Sequence, residues 1–416
     1  MKKIGKYSFG VGDRFGHQGK AQLKAMIAAK EQLGIDITPV WNKSNREHMI
    51  IGTEPSEVRI EADEAVKTLG WKGDYYVDAD HINLGNVERF VEPSDFFTID
   101  VADFIGDAAP ADKVKAFLAS HENYLGQLEI PGIDETLEVT EDFLTSFANN
   151  YLVAVEEASK VYKYLVEKKG EGNFVPEVSC DETDTPQSPL DLFFILKLLA
   201  DNGVPAQTIA PRFSGRFNKG VEYVGDVKQF EKEFEQDLLV IKFVISEFGL
   251  PDNLKLSVHS GSDKFAIYPI IGELIRKHDT GIHIKTAGTT WLEEIAGLAI
   301  SDGDGLALAK EVYATAYKKM EELTAPYASV IDIKKEALPL PEVVNGWSAE
   351  QLKNALVHDQ SCAEYNPSLR QLIHVGYKVA AQKGDIYYTA LEKFEPNIEK
   401  QVFENLFERH IKRLKF

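Results

Sequence analysis

Three histidines stand where short β-rich segments of the chain end. His81, His259 and His283 close the third, seventh and eighth of eight such segments, whereas the other histidines among the ten lie in loops or helical patterns. Neutral imidazole is the commonest ligand of borderline divalent metals, and three protein ligands with one open position form a catalytic site. The three are therefore candidate ligands of one divalent metal ion. Three separate hydrogen-bonding roles are the alternative.

Carboxylates accompany these histidines. Asp80 directly precedes His81, where it could act as a general base for a substrate hydroxyl or only orient the imidazole. Glu177 has the parity of an inward-facing residue in an otherwise apolar segment, so it needs a partner. It could ligate the metal, carry a proton or belong to a buried salt bridge. Glu182 follows the same segment, where a loop could present it as a second proton donor. Asp80, Glu177 and Glu182 are thus the candidate catalytic residues.

Basic and small residues near the same segment ends could bind an anion. Arginine grips a carboxylate with two parallel hydrogen bonds, although an inward-facing cation could equally neutralise an inward-facing carboxylate. A serine–glycine turn after His259 could also present backbone N–H groups to an anion. The candidate substrate-binding residues are Arg14, Arg212, Ser260, Gly261, Lys264 and Lys285.

The order of the elements predicts how these residues come together. Eight predicted strands alternate with amphipathic helical segments, which indicates an α/β protein with a closed (β/α)8 TIM barrel. All strands of such a barrel end at one mouth, and alternating polar and apolar residues within strands place the polar set inside. The predicted strands cover residues 6–12, 36–42, 74–80, 96–102, 174–181, 207–214, 254–260 and 281–286.

The pattern changes beyond about residue 323. Pro326, Pro339 and Pro341 interrupt the chain, and helical segments then continue to its end. We predict a catalytic barrel domain over residues 1–323 and a helical C-terminal extension over residues 324–416. The extension is expected to pack on the barrel, and it offers a surface for self-association into a homo-oligomer.

Charge and composition argue against several classes of partner. The chain has 46 Lys and Arg against 66 Asp and Glu, a net charge of −20, whereas nucleic acids and anionic membranes are bound by clustered Lys and Arg. No apolar run approaches the roughly 18 residues of a membrane span, and no apolar signal segment follows Met1. With only two cysteines, we expect a cytoplasmic protein. A small anion is not excluded, because a few focused cations can bind it.

Several segments resemble the tagaturonate/fructuronate epimerase family of bacterial hexuronate catabolism. They are DADH at residues 78–81, VHSGSDKF at 258–265, GIHIKTAGTTW at 281–291 and PSLRQLIHVGYK at 367–378. The likeness extends along most of the chain. It implies a divalent-metal-dependent interconversion of two keto-hexuronates at C4. Because some relatives act on fructose and tagatose, the preference for a uronate or a neutral ketohexose stays open.

A more distant likeness connects the chain to class II fructose-bisphosphate aldolases. Asp80-His81 would match their Asp-His pair, and His259 to Ser262 their glycine-rich segment. His259 is followed by Ser rather than Gly-Gly, however, and the third histidine lies in the eighth strand. A bisphosphate substrate is therefore not expected. A ketose aldolase, a sugar isomerase and a sugar-binding barrel without chemistry are the alternatives to an epimerase.

The chemistry of C4 inversion makes the aldolase likeness useful. C4 of a 2-ketose is β to the ketone, so its C–H is not acidic enough for direct deprotonation. Transient oxidation at C4 would need a nicotinamide, and no Gly-x-Gly-x-x-Gly motif follows a strand. We therefore expect no nicotinamide, one Zn, Ni, Co or Mn ion, and retro-aldol cleavage of C3–C4. Asp80 would take the C4 hydroxyl proton, Glu182 would return it on the opposite face, and Glu177 would support the metal ligands.

Overall fold

Eight parallel strands form a closed barrel in the computed structural model, which describes residues 2–181, 183, 185–286, 289–301 and 303–416. Each strand pairs with its neighbour in the chain, and β1 closes the barrel against β8. The predicted TIM barrel is thus confirmed. The strands are β1 Tyr7–Gly12, β2 Ile37–Ser44, β3 Tyr76–Ile82, β4 Phe96–Asp100, β5 Val175–Ser179, β6 Thr208–Ala210, β7 Lys255–His259 and β8 Ile282–Lys285.

Helices surround the barrel at every connection except one. Between β3 and β4 the chain forms only a short 3-10 turn, Val87–Phe90. Serine caps begin α2 and α6, where Ser44 and Ser188 each form a capping box with the third helical residue. The helices are α1 Gly19–Ala28, α2 Asn45–Ile51, α3 Pro55–Leu69, α4 Ala111–His121, α5 Glu141–Lys169, α6 Pro189–Asp201, α7 Val227–Phe248, α8 Tyr268–His278 and α9 Thr289–Ala299. A short hairpin of Gly126–Leu128 and Leu137–Val139 lies between α4 and α5.

The barrel interior is layered. An apolar plug of five buried side chains closes the end opposite the mouth: Ile4, Val40, Tyr76, Phe96 and Val175. Above it, polar side chains from different strands contact one another across the interior. Thr98, for example, donates to Glu177, which also accepts a hydrogen bond from Thr208. The alternation read from the strands therefore does place polar residues inside the barrel.

The C-terminal part of the chain is helical and packs on the barrel. A buried arginine on α14, Arg370, ties it to the loop after β7 by donating to Asp263, and it also donates to the carbonyls of Gly220 and Leu356. The division at residue 323 stays a prediction, since α11 crosses it. These helices are α10 Gly303–Lys318, α11 Met320–Thr324, α12 Pro341–Asn345, α13 Ala349–Leu356, α14 Pro367–Val375, α15 Tyr377–Ala381, α16 Asp385–Lys393, α17 Glu395–Phe403, a π-helical segment Glu404–Ile411 and α18 Lys412–Leu414.

Within the described part of the chain, no helix combines the length and the apolar character that crossing a membrane requires.

Candidate active site

Two of the predicted histidine ligands meet at the mouth of the barrel. The rings of His81 on β3 and His259 on β7 lie 5.2 Å apart. Asp181, which follows β5, faces both, with its Oδ1 3.6 Å from His81 Nε2 and its Oδ2 3.2 Å from His259 Nδ1. The three residues each offer a ligand atom, and these atoms lie within 4.8 Å of one another. We call this group the His-Asp-His cluster.

The ring nitrogens on the other side of each imidazole are held by carboxylates. His81 Nδ1 lies 2.9 Å from Asp80 Oδ1, and His259 Nε2 lies 2.9 Å from Glu177 Oε1. Such contacts fix the orientation of a metal-ligating histidine. His81 Nε2 and His259 Nδ1 are buried, and neither has a hydrogen-bond partner among the described residues. Two unpartnered imidazole nitrogens beside a carboxylate fit Zn, Ni, Co or Mn.

Electrostatics favour a cation in the cluster. Burial lowers the pKa of His259, but the Asp181 and Glu177 carboxylates outweigh it and raise that pKa to about 9. Burial also opposes the charged form of His81, yet Asp80 and Asp181 raise its pKa well above the ordinary value. The surrounding carboxylates therefore hold a proton on each imidazole, and a divalent cation binding here would replace those protons.

Lys285 lies level with His259 in the barrel, at the centre of three carboxylates. Its Nζ is 2.8 Å from Asp78 Oδ2, 2.7 Å from Asp80 Oδ1 and 3.3 Å from Glu177 Oε1. Although burial opposes its charge, these carboxylates raise the pKa of Lys285 well above the ordinary value. Of the two roles considered for Lys285, the contacts correspond to neutralising inward-facing carboxylates rather than to holding a substrate.

Glu177 is enclosed by its hydrogen bonds. Besides His259 and Lys285, it accepts from Thr98 Oγ1 at 3.0 Å and from Thr208 Oγ1 at 2.7 Å, and its side chain has no exposed surface. Of the three roles considered from the sequence, this geometry corresponds to the buried salt bridge, and it positions His259.

His283 does not join the other two histidines. Its Nδ1 lies 2.9 Å from Ser8 Oγ, and its ring packs 5.2 Å from Phe96 of the apolar plug. The register pairs His283 with Ser257 and Lys285 with His259, so His283 lies one layer deeper than the cluster. Burial lowers its pKa to about 3, which leaves the imidazole neutral. Asp181 occupies the third place that the sequence suggested for His283.

The polar groups of the loop after β7 mostly form hydrogen bonds within the protein, rather than pointing towards a ligand as the sequence suggested. Ser260 bonds the carbonyl of Lys285 through both its backbone N–H at 3.0 Å and its hydroxyl at 2.8 Å, so that N–H is not free for an anion. Gly261 adopts a φ of +62°, which favours glycine. The Lys264 ammonium is buried and donates to the carbonyls of Asn218 and Val221 at 2.9 and 2.6 Å. It therefore holds the β6–α7 loop in place rather than facing the cluster.

The two candidate arginines both lie near the mouth. The Arg14 Nε donates to Glu47 Oε1 at 3.0 Å, and its guanidinium stacks 4.3 Å from the ring of Tyr377 in the extension. Arg212 Nη1 donates to the backbone carbonyl of Asp181 at 3.1 Å, so it supports the cluster directly. Glu182 lies outside the described residues.

Two residues near the site had no role assigned from the sequence. Asp181 belongs to the group of carboxylates at the end of the fifth strand, and its parity, the same as that of Glu177, could have singled it out as a ligand. Lys219 belongs to the β6–α7 loop and gave no signal, because loops have no periodicity. Its side chain passes over Gly261, where an added Cβ would lie 3.4 Å from Lys219 Cδ. No described residue accepts a hydrogen bond from its ammonium.

Comparison with known proteins agrees with this architecture. The model of the tagaturonate epimerase family matches residues 1–414. The chain is 29% identical to the tagaturonate/fructuronate epimerase of Thermotoga maritima over 420 residues, which cover 98% of this chain and 79% of that protein. A glycerol-complexed crystal structure of fructuronate-tagaturonate epimerase from Cohnella laeviribosi superposes with a TM-score of 0.83 at 24% identity, covering 99% of this chain and 82% of that one. The native crystal structure of the same enzyme superposes with a TM-score of 0.81 at 24% identity, covering 100% of this chain and 82% of that one.

Proposed function

The chain belongs to the tagaturonate epimerase family, and we propose that it interconverts D-tagaturonate and D-fructuronate by inverting C4, with one divalent metal ion and reversible cleavage of the C3–C4 bond. The observation that carries the proposal is the His-Asp-His cluster at the barrel mouth, in which the unpartnered nitrogens of His81 and His259 face Asp181. The names of the similar proteins supply the substrate pair, and a neutral ketohexose remains a second substrate to test.

His81, Asp181 and His259 would hold the metal. When bound, it would supply Lewis acidity for the negative charge that develops on the C2 and C3 oxygens. Retro-aldol cleavage needs this charge stabilised, because the electron pair of the C3–C4 bond passes into a C2–C3 enediolate. The same electron pair forms the bond again when the enediolate attacks the aldehyde at C4. Inversion follows if the aldehyde fragment rotates before this attack.

Asp80 is the proposed base for the C4 hydroxyl. Its Oδ1 accepts hydrogen bonds from both His81 and Lys285, whereas no described residue bonds its Oδ2. Burial opposes ionisation of Asp80, but Lys285 and His81 hold its pKa well below the ordinary value, so it stays an ionised acceptor. As the C4 O–H proton moves to Asp80, the C4 carbonyl forms and C3–C4 breaks. Glu182, next to Asp181 in the chain, is proposed to be protonated and to donate its own proton to the C4 oxygen on the opposite face; exchange with water then removes the proton from Asp80 and restores the one on Glu182.

The uronate carboxylate needs a cation at the mouth. Lys264 and Lys285 face other groups, and the newly found Lys219 is the first candidate; Arg14, which pairs with Glu47, and Arg212, which donates to the Asp181 carbonyl, are the others. Burial holds the pKa of His374 in the extension well below its ordinary value, and the positive charges of Arg14 and Lys219, with those of Arg370 and Lys264, lower it further, so these cations act on the same region. We assign the C6 carboxylate to this region.

NMR of fructuronate or tagaturonate incubated with the protein tests this function. We expect the C4 epimer to appear, to be lost with a chelator and with His259→Ala, and to persist with His283→Gln. Activity that survives both chelation and His259→Ala would refute the metal role. In D2O, bond cleavage leaves the C4 hydrogen in place, so deuterium at C4 would refute the retro-aldol route. Net release of two three-carbon products would identify an aldolase instead.

A further inference from the structure

A cavity of about 650 Å³ lies between the C-terminal helices and the loops that follow β6 and β7. Its walls come from α13, the loop before α14, the end of the π-helical segment, α18 and Phe265 of the barrel. This volume is in the range of sites for small metabolites and is much larger than one phosphate ion needs. None of the residues proposed for epimerisation lines it.

Three cations line this cavity. No described residue accepts a hydrogen bond from Lys353. The Arg413 guanidinium lies over the face of Phe265, 4.3 Å from its ring centroid, and the charges of Arg409 and Arg413 both act on Asp359 of the same wall. The nearest carboxylate oxygen to Arg409 Nη1 belongs to Glu293 at 3.7 Å, too far for a hydrogen bond. In a chain whose net charge is −20, three cations gathered in one cavity favour an anion.

A buried histidine adds an unpartnered polar group to the same wall. His358 is 3% exposed, and its ring is stacked between Phe265 and Tyr365 at centroid distances of 5.0 and 5.2 Å. Its Nε2 has no hydrogen-bond partner among the described residues, and its Nδ1 is 3.5 Å from Asp263 Oδ2. The stacked His358 ring thus forms an aromatic part of the cavity wall.

Two carboxylates limit what the anion can be. Glu222 and Asp359 also line the cavity. Glu222 Oε1 accepts a hydrogen bond from the Tyr223 N–H, and Asp359 Oδ1 accepts one from the Ser361 N–H. Three cations and two carboxylates leave an excess of one positive charge. The second oxygen of each carboxylate can accept hydrogen bonds from the hydroxyl groups of a ligand. The lining therefore matches a ligand with one anionic group and a polyhydroxylated body.

We propose that this cavity is a second binding site, specific for a small polyhydroxylated anion: a sugar phosphate or a sugar acid. Its anionic group pairs with Lys353, Arg409 and Arg413, and its hydroxyl groups face Glu222 and Asp359. The site adjoins the loop that begins at His259, because His358 contacts both Asp263 and Phe265 of that loop. Binding at this site does not depend on the proposed epimerase activity.

Isothermal titration calorimetry on the full chain tests the site with three probes of similar size. Glucose 6-phosphate and gluconate carry the anion as phosphate or carboxylate, and glucose carries none. We expect at least one anion to bind and glucose not to bind. Loss of a charge-assisted hydrogen bond should weaken binding about tenfold or more in Lys353→Gln and in Arg413→Gln. The matched control is Lys412→Gln, which removes the neighbouring charge on α18, where Lys412 pairs with Glu408.

Binding that persists in His259→Ala, and that falls in Arg413→Gln but not in Lys412→Gln, supports the site. Comparison of the two anions then distinguishes a sugar phosphate from a sugar acid. No heat with either anion, equal binding of glucose, or undiminished binding in Lys353→Gln and Arg413→Gln would overturn it. So would binding that is lost in His259→Ala alone, because the anion would then occupy the barrel mouth. Because the experiment measures binding and not turnover, each of these outcomes can be interpreted even if the protein shows no epimerase activity.

Discussion

Replacing Glu177 by Gln should weaken metal binding without removing any metal ligand. Glu177 Oε1 holds His259 Nε2 at 2.9 Å, and the opposite nitrogen, Nδ1, faces Asp181 in the cluster. Gln keeps the size and shape of the side chain but loses its charge, so the imidazole is less firmly oriented and is a weaker electron donor. Loss of such a supporting carboxylate typically costs 10- to 100-fold in metal affinity, or about 1.4–2.7 kcal/mol.

Asp78→Asn provides a control for the loss of charge. Asp78 Oδ2 is 2.8 Å from Lys285 Nζ, closer than the 3.3 Å of Glu177, so its removal perturbs the same ammonium at least as strongly. Asp78 contacts no histidine among the described residues. Any effect that Glu177→Gln has beyond that of Asp78→Asn therefore reports the bond to His259.

Metal affinity can be measured by competition with a chromophoric chelator for Zn²⁺ and Ni²⁺, with circular dichroism to establish that each variant is folded. We expect a 10- to 100-fold loss in Glu177→Gln and a much smaller change in Asp78→Asn, with epimerase activity falling in the same order. Equal losses in the two variants would show that charge alone matters. Unchanged affinity in Glu177→Gln would refute the role given to this carboxylate.

Three further outcomes follow from the geometry. His283→Gln should retain metal by elemental analysis, because His283 bonds Ser8 one layer below the cluster; loss of the metal would restore His283 as a ligand. Arg370→Met should lower the free energy of unfolding in urea by about 3 kcal/mol or more, since it leaves Asp263 buried without its guanidinium partner; an unchanged midpoint would contradict this. Burial lowers the pKa of Lys264 to about 7 from 10.5, so the unfolded chain holds a proton that the folded chain lacks between these pH values. Stability should therefore rise from pH 7 to 10.5, by up to about 1.4 kcal/mol per pH unit, and Lys264→Met should flatten that rise in urea titrations at several pH values.

Part of the site follows from periodicity alone. The alternation along β3 places Asp78 and Asp80 inside the barrel, and His81 follows at the strand end. The same alternation along β5 indicates Glu177. Because every strand of a parallel barrel ends at one mouth, element order alone predicts that the ends of β3 and β7 share a site.

The layer at which each inward-facing residue sits is decided by the stagger between strands. His283 and Lys285 are two residues apart on β8 and equivalent by parity, yet the register places Lys285 level with His259 and His283 below it. No local pattern encodes that offset, which arises only when the tilted strands close into a barrel. His283 therefore lies below the cluster, and Asp181 takes the place among the ligand candidates that was expected for it.

The barrel, its polar mouth and the acid–histidine pair on β3 can be predicted from the chain alone, because they depend on residue order and on a two-residue period. Which groups meet depends on how distant segments pack. Asp263 accepts a hydrogen bond from Arg370, which lies more than 100 residues later in the chain. Lys264 donates to two carbonyls of the β6–α7 loop. Such pairings satisfy buried polar groups that come together only when distant segments pack, so neither composition nor spacing contains them.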